Sequence, residues 1–442
     1  MKSIPNIEDA CGIIAKLADA GYTSYLVGGF VRDKVRGVPP EDYDIATAAR
    51  PEDIQKLFKQ TIPVGVSFGV VLVVVNGLPY EVATFRSDIG YSDGRHPDSV
   101  RFSGPKEDVL RRDFTINGMF YDPGTDCVID YVGGKEDIEK RLIRTIGDPE
   151  ERFAEDKLRL LRAPRFAAKL DYKIEPQTAN AIRKHAAEIT GVSAERIREE
   201  ISKILIGPHP RRGIELAGDF GLLKHILPEI ETMKGVPQPA EFHPEGNVWE
   251  HTMLAFDHLP ASPEIELAMA ALLHDVGKPL TFKEEDRIRF NGHAEIGAEL
   301  TEKIMRRLRF SKNQQDLVVD LVRQHHKFME VQNMRPSTLK RFLRTERFDL
   351  HLELHRIDCI ASHGNLENYE FCRARIEEFS KQAENALHPV LLLSGDDLIE
   401  MGLKPGPEFG RILKELEDAQ LEGSVVTRED AISLVRRTAG LK

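Results

Sequence analysis

Strand-like alternation of apolar residues is confined to the first third of the chain, and this most limits the folds open to it. "SYLVGG" reads as a short strand running into a glycine turn, and "DYDIAT" alternates like a strand. "VVLVVVNGLPYEVATF" reads as a hairpin turning at Asn76-Gly77. From residue 148 the apolar period becomes helical, in "DPEERFAEDKLRLLRAPRFAAKL" and "SAERIREEISKILIG". The expected fold class is an α+β head, a mixed sheet with helices, followed by a mostly α-helical remainder. Four segments are expected, at 1–147, 148–225, 226–385 and 386–442. In the last, a helix, a Pro/Gly-rich turn and a second helix follow one another.

The chain has 442 residues, 41% hydrophobic and 30% charged, which suits a globular protein with a real core. No apolar run approaches the roughly 18 residues that a membrane span needs. The first residues, "MKSIPNIEDACGIIAKLADAGY", hold no apolar signal core, so a cytoplasmic location and no membrane partner are expected. The four cysteines, Cys11, Cys127, Cys359 and Cys372, form no CxxC pair. A net charge of -11 argues against a general polyanion binder, so any nucleic acid must meet a local basic groove.

"GGFVRDKVRGVPPEDYDIAT" concentrates the chemistry. Side chains two apart on a strand share a face, so Asp42 and Asp44 are expected side by side. Adjacent carboxylates repel unless a cation or proton lies between them. Oxygen donors on a rigid strand suit Mg²⁺, with Glu81 as a third carboxylate from the next strand. Gly28 and Gly29 leave a bare backbone before a helix, an anion site to which Arg32 adds charge. Alone, a DxD pair is more often a solvated edge; the combined motif is what carries the chemistry.

With "RRDFTINGM" and "AEDKLRLLRAPRF", this segment resembles the bacterial tRNA nucleotidyltransferase family, which includes CCA-adding enzymes, A-adding enzymes and poly(A) polymerases. The resemblance implies a polymerase beta-like head at 1–147 and a base-recognising neck at 148–225. It implies that Asp42 and Asp44 bind the metals of catalysis, with Glu81 beside them, and that Gly28, Gly29 and Arg32 hold the triphosphate. Arg111, Arg112, Asp113 and Asn117 would contact the nucleotide, and Asp156 and Arg159 would read its base, with Arg162 and Arg165 on phosphates. The partners it implies are the tRNA 3′ end, ATP and possibly CTP. On the sequence alone, Asp156, Arg159, Arg162 and Arg165 form one polar helical stripe, which Pro164 should bend or interrupt. Residues 87–110 read as a long polar loop; in family members that add A, a flexible loop here helps exchange CTP for ATP.

In the helical half, His251, His274, Asp275, His293, His325, His326 and Asp358 recur by motif among fifteen histidines. Imidazole and carboxylate together suit Mn²⁺, Fe²⁺, Ni²⁺ or Mg²⁺. The order H…HD…H…HH…D resembles an HD-domain phosphohydrolase over 226–385, with Lys278 as a phosphate contact. The tail, 386–442, resembles the tRNA-gripping end of the same family. The leading expectation is therefore a tRNA 3′-end nucleotidyltransferase adding CCA or the terminal A, with a second, phosphohydrolase centre. An A-only enzyme, a poly(A) polymerase and a phosphohydrolase with an inactive RNA-docking head are the alternatives.

Overall fold

The structure, a computed structural model, describes residues 5–65, 68–90, 99–381 and 390–441. It divides into two compact units. One runs to Glu231 and includes Arg307–Arg309; the other holds Thr232–Arg306 and continues from Phe310.

The first unit opens with α1 (Ile7–Asp19), which buries Ala10, Ile13, Ile14 and Leu17 on one helical stripe. β1 (Ser24–Val27) leads through Gly28 into α2 (Gly29–Arg36). β2 (Asp44–Thr47), α3 (Pro51–Leu57), β3 (Thr61–Gly65), β4 (Val70–Val75) and β5 (Leu78–Thr84) follow. Asn76 and Gly77 both have positive φ, 52° and 79°, as the two-residue hairpin requires. β6 (Arg86–Ile89), β7 (Ser99–Phe102), α4 (Pro105–Leu110), β8 (Met119–Asp122), β9 (Cys127–Asp130), α5 (Gly134–Glu139) and β10 (Leu142–Ile143) complete the head.

Seven of these strands form one sheet in the order β3-β4-β5-β2-β1-β8-β9. Only β2 and β5 pair in parallel, so the sheet is mixed. Val27, Ala46, Phe85 and Phe120 pack on it as one apolar cluster with Val109 and Ile146. The stretch read as a long loop is largely ordered: β6 and β7 pair as a hairpin and α4 follows, while 91–98 lie outside the described residues. "RRDFTIN" forms a short 3-10 turn, Thr115–Asn117, rather than an α-helix start.

Helices dominate from Asp148, whose side chain caps α6 (Pro149–Glu155) by accepting from Glu150 N–H. α7 (Arg159–Leu170) then starts afresh, so the segment read as one helix is two. Pro164 lies inside α7 and does not end it. β11 (Lys173–Ile174) pairs with β10, a small strand pair beyond the predicted head. α8 (Pro176–His185), α9 (Ala194–Leu205), α10 (Pro210–Asp219), α11 (Leu223–Ile226) and α12 (Pro228–Glu231) close this part.

The second unit begins with α13 (Val248–Phe256), α14 (Ile265–Leu273) and α15 (Lys278–Thr281). A two-residue pair, β12 (Lys283–Glu284) and β13 (Ile288–Arg289), precedes α16 (His293–Arg307), α17 (Lys312–Gln324), α18 (Pro336–Leu343), α19 (Phe348–Ala361) and α20 (Glu367–Lys381). α21 (Gly395–Glu400), α22 (Pro407–Glu422) and α23 (Arg428–Ala439) form the tail around Leu398, Ile412, Leu416 and Val435. Arg341 on α18 reaches Glu417 on α22 at 2.6 Å, pinning the tail to its own unit. Among the described residues, no helix is long and apolar enough to cross a membrane.

Candidate active sites

The first site is built by one strand register. β1 and β2 are antiparallel with Val27 opposite Asp44, which sets Asp44 against the turn at Gly28. Gly28 adopts φ 65° and ψ -128°, a region that strains any residue with a Cβ. A Cβ there would lie 3.8 Å from Asp44 Oδ2. Asp42 precedes β2 rather than sharing it, so the alternation argument does not place it. It is nonetheless an electrostatic neighbour. Burial, then the charges of Glu81 and Asp42, push the Asp44 carboxyl up to about 6, and Arg112 opposes them. Such a set of oxygen donors fits a hard divalent cation. Asp42, Asp44 and Glu81 do not all gather as closely as the donors of the second site do.

The arginines around these carboxylates are already engaged. Arg32 Nη2 meets Asp33 at 2.7 Å, and Nη1 donates to Asn117 Oδ1 at 3.0 Å. Asn117 donates in turn to Asp113 Oδ1 at 3.3 Å, and Arg162 clasps Asp113 Oδ2 with Nε and Nη2 at 2.9 and 2.6 Å. Burial alone would raise the Asp113 carboxyl, but Arg162 overrides it and holds the group down at about 2. Arg111 and Arg112 both chelate the buried Asp108. Arg32, Arg162 and Arg165 surround the Phe166 ring at 5.8, 5.3 and 4.1 Å from its centroid.

Asp156 departs from the expected stripe. It caps the end of α6 with extended backbone, in the break before α7, while Arg159, Arg162 and Arg165 lie on α7 itself. Arg159 is buried, with Nη1 on Arg152 O and Glu155 at 3.1 and 2.7 Å and Nη2 on Arg111 O at 2.7 Å.

The second site gathers six of the seven expected ligands. His251 comes from α13, His274 and Asp275 follow α14, His293 starts α16, His325 follows α17, and Asp358 is on α19. His251 Nε2 lies 3.1 Å from His274 Nε2 and 3.0 Å from Asp358 Oδ1. His293 Nε2 lies 3.2 Å from His325 Nε2. Asp275 stands between the groups, its Oδ2 3.4 Å from His274 and its Oδ1 3.7 Å from His293. His326 stands apart: its ring is 5.3 Å from that of His293, and it is exposed and outside the gathered donors.

The tautomers follow from the far side of each ring. Nδ1 of His274, His293 and His325 faces the carbonyls of Ala271, Phe290 and Val322 at 2.9, 2.9 and 2.6 Å. His251 Nδ1 faces Glu245 Oε1 at 2.7 Å. These oxygens only accept, so each Nδ1 carries the proton and each Nε2 presents a lone pair. Lone pairs 3.1–3.2 Å apart call for a cation between them. Without one, a proton serves. Burial would lower His251, but Asp358 and Glu245 raise it to about 9. Gly277 makes this geometry possible, since a Cβ there would sit 2.1 Å from His293 O. Lys278 Nζ lies 2.7 Å from Asp275 Oδ2 and donates to Gln238 at 2.6 Å.

Comparison with known families agrees with this division. Residues 24–144 match the poly A polymerase head domain, 171–234 a probable RNA- and SrmB-binding site of polymerase A, and 247–354 the HD domain. CCA-adding enzymes of Pediococcus pentosaceus and Geobacillus stearothermophilus are each 46% identical, over 47% and 50% of this chain. Those alignments span about half of either relative, 52% and 55%. The CCA-adding enzyme of Lactobacillus helveticus is 31% identical over 427 residues, 96% of this chain and 95% of that protein. The chain belongs to the CCA-adding enzyme family. Its fold matches accordingly. The Bacillus stearothermophilus CCA-adding enzyme in complex with CTP superposes with a TM-score of 0.75 at 28% identity, covering 99% of both chains. A CCA-adding enzyme complexed with ATP gives 0.66 at 20% identity, covering 99% and 95%, a likeness of fold.

Sequence reasoning missed several residues of this family member's sites. Asp33, Asp108 and Glu200 neutralise the arginines, and His243 and Glu245 stand behind His251. "HPEG", only a few residues before His251, was the available signal for the last two.

Two outcomes follow. Asp44 is raised from 3.8, so its ionisation costs the cation-free fold stability above about pH 6 and nothing below 3.8. Asp44→Asn should raise the urea midpoint at about pH 8 by the equivalent of roughly 1–2 kcal/mol, and leave it unchanged near pH 4. His251 is raised from 6.5 to about 9, so it stays protonated until pH climbs through that value. A metal must displace that proton, so Mn²⁺ affinity should rise across this range. Calorimetry in two buffers of different ionisation enthalpy should count the released proton, and Glu245→Gln should reduce the count.

Proposed function

We propose that the chain adds C, C and A to the 3′ end of tRNA in the cytoplasm, using CTP and ATP and releasing pyrophosphate. The observation that carries this reading is the placement of Asp44, pushed up to about 6 by burial and then by Glu81 and Asp42, against the Gly28 turn. Relatives named as CCA-adding enzymes, one aligned over 96% of this chain, support the subtype. Solved relatives in complex with CTP, with ATP and, in Thermotoga maritima, with tRNA support these partners.

In this reading Asp42 and Asp44 hold Mg²⁺, with Glu81 adjacent. When bound, the ion supplies positive charge to the triphosphate and makes the tRNA 3′-hydroxyl easier to ionise. The backbone N–H groups at Gly28 and Gly29 orient the triphosphate, with the Arg32 charge at the same helix end. Arg111, Arg112, Asp113 and Asn117 border the nucleotide. Asp156 and Arg159 read its base edge, and Arg162 and Arg165 balance its phosphates. The 3′-oxygen forms a bond to the α-phosphorus, the bond to the β-phosphate bridge breaks, and pyrophosphate carries away the electron pair. The tail 386–442 grips the tRNA body.

The second centre reads as a phosphohydrolase. Its donors fit two divalent ions, Mn²⁺, Ni²⁺, Fe²⁺ or Mg²⁺, with Asp275 shared between {His251, His274, Asp358} and {His293, His325}. When bound, the ions supply charge that activates water toward a phosphate ester. Lys278 offers the phosphate a cation, and Glu245 and the three carbonyls keep the imidazoles in the ligating tautomer. The substrates proposed are 2′,3′-cyclic phosphates, 2′-phosphates and damaged RNA ends.

Given Mg²⁺ and single labelled nucleotides, the protein should extend tRNA lacking CCA with two C and then one A. A single A added only to tRNA ending in CC would make it an A-adding enzyme, and runs of A a poly(A) polymerase. Asp42→Ala with Asp44→Ala should abolish addition, by at least about a thousandfold, and spare phosphate release from a 2′,3′-cyclic phosphate. His274→Ala should do the reverse. Phosphate release that survives His274→Ala would remove the second activity from this centre.

A further inference from the structure

Asp156 sits in the break between α6 and α7, where no regular helix fixes its carboxylate. Two contacts fix it. Oδ1 accepts from Leu158 N–H at 3.1 Å, and Oδ2 accepts from Arg196 Nη2 at 2.7 Å. Arg196 belongs to α9, forty residues along the chain. One turn later on α9, the buried Glu200 lies 2.5 Å from Arg165 Nε and 3.8 Å from Arg162 Nη1. Residues four apart share a helix face. α9 therefore meets the base-reading segment twice, with a cation at its carboxylate and an anion at its arginines.

The pair with Arg196 is charge-assisted and only 19% and 18% exposed at the two side chains, so it holds the Asp156 carboxylate in a single orientation. An ionised carboxylate only accepts. Cytosine and adenine each present an exocyclic amino donor, whereas uracil and guanine present a carbonyl oxygen at the matching place. Against an acceptor-only Asp156 that oxygen meets lone pair with lone pair. A carboxylate free to turn away from the base edge loses this distinction.

We propose that Arg196 is a positioning residue that holds the Asp156 carboxylate in the orientation that reads the base, so that α9 sets the choice of C and A over U and G. This rests on the assignment of Asp156 to the base edge made above.

The test measures kcat and KM for CTP and UTP on tRNA lacking CCA. The variants are Arg196→Met, Arg196→Lys and Asp156→Ala. Arg196→Met should lower the CTP:UTP ratio of kcat/KM about tenfold, the worth of one charged hydrogen bond. The loss should fall mainly on the KM for CTP, and Arg196→Lys should recover part of the ratio. A merely structural Arg196 would lower both nucleotides equally and leave the ratio unmoved. An unchanged ratio in Arg196→Met beside a changed ratio in Asp156→Ala overturns the proposal alone. An unchanged ratio in both overturns the base-reading assignment, and the proposal with it. Should Arg196→Met not fold, Arg196→Gln and Arg196→Lys read the same ratio.

Discussion

Two imidazole nitrogens 3.1 Å apart, each ring engaged on its opposite side, need a proton or a cation between them. The helical unit is organised around that requirement. Five separate segments deliver donors to it, and three backbone carbonyls fix which nitrogen faces inward. The head repeats the theme with oxygen. Asp44 is held by a strand register against the glycine turn, and its raised affinity for a proton reflects burial and the charges of Glu81 and Asp42. Both centres keep like-charged or lone-pair donors close, and the surrounding fold holds them there.

The arginine network shows the opposite arrangement. An acidic chain of net charge -11 still collects a cluster of guanidinium groups around Phe166. Buried, unpaired guanidinium groups would be costly, so each has a carboxylate: Asp33 for Arg32, Asp113 for Arg162, Glu200 for Arg165. The chain Asp33–Arg32–Asn117–Asp113–Arg162 runs without a gap from the glycine turn to α7. It mechanically joins the glycine turn before α2 to the middle of α7. Such a network orders side chains before any substrate arrives, which lowers the ordering cost of binding.

Much of this was legible in the chain. Periodicity separated the mixed-sheet head from the helical remainder, and Asn76-Gly77 marked its hairpin. Motif order gave the family, and six of the seven expected metal ligands do converge. The failures were local. Asp42 lies before its strand, Asp156 lies between helices, and the polar loop contains a hairpin and a helix. Periodicity counts residues along an element and cannot see where an element stops. His326 failed for a related reason: it is adjacent to His325, and adjacent residues on a helical turn point in different directions.

The sequence by itself determined the chemistry available: carboxylates beside a glycine turn, an arginine-rich helix, and histidines and aspartates in a metal-binding order. Those are properties of residue type and short-range spacing. Only the tertiary structure decided which atoms face which. It chose Nε2 over Nδ1 on each imidazole, paired Asp156 with Arg196, and hid Asp108 and Glu200 under the arginines. Partners like these lie up to tens of residues apart, and their contact energies depend on distance and burial, which no local pattern encodes.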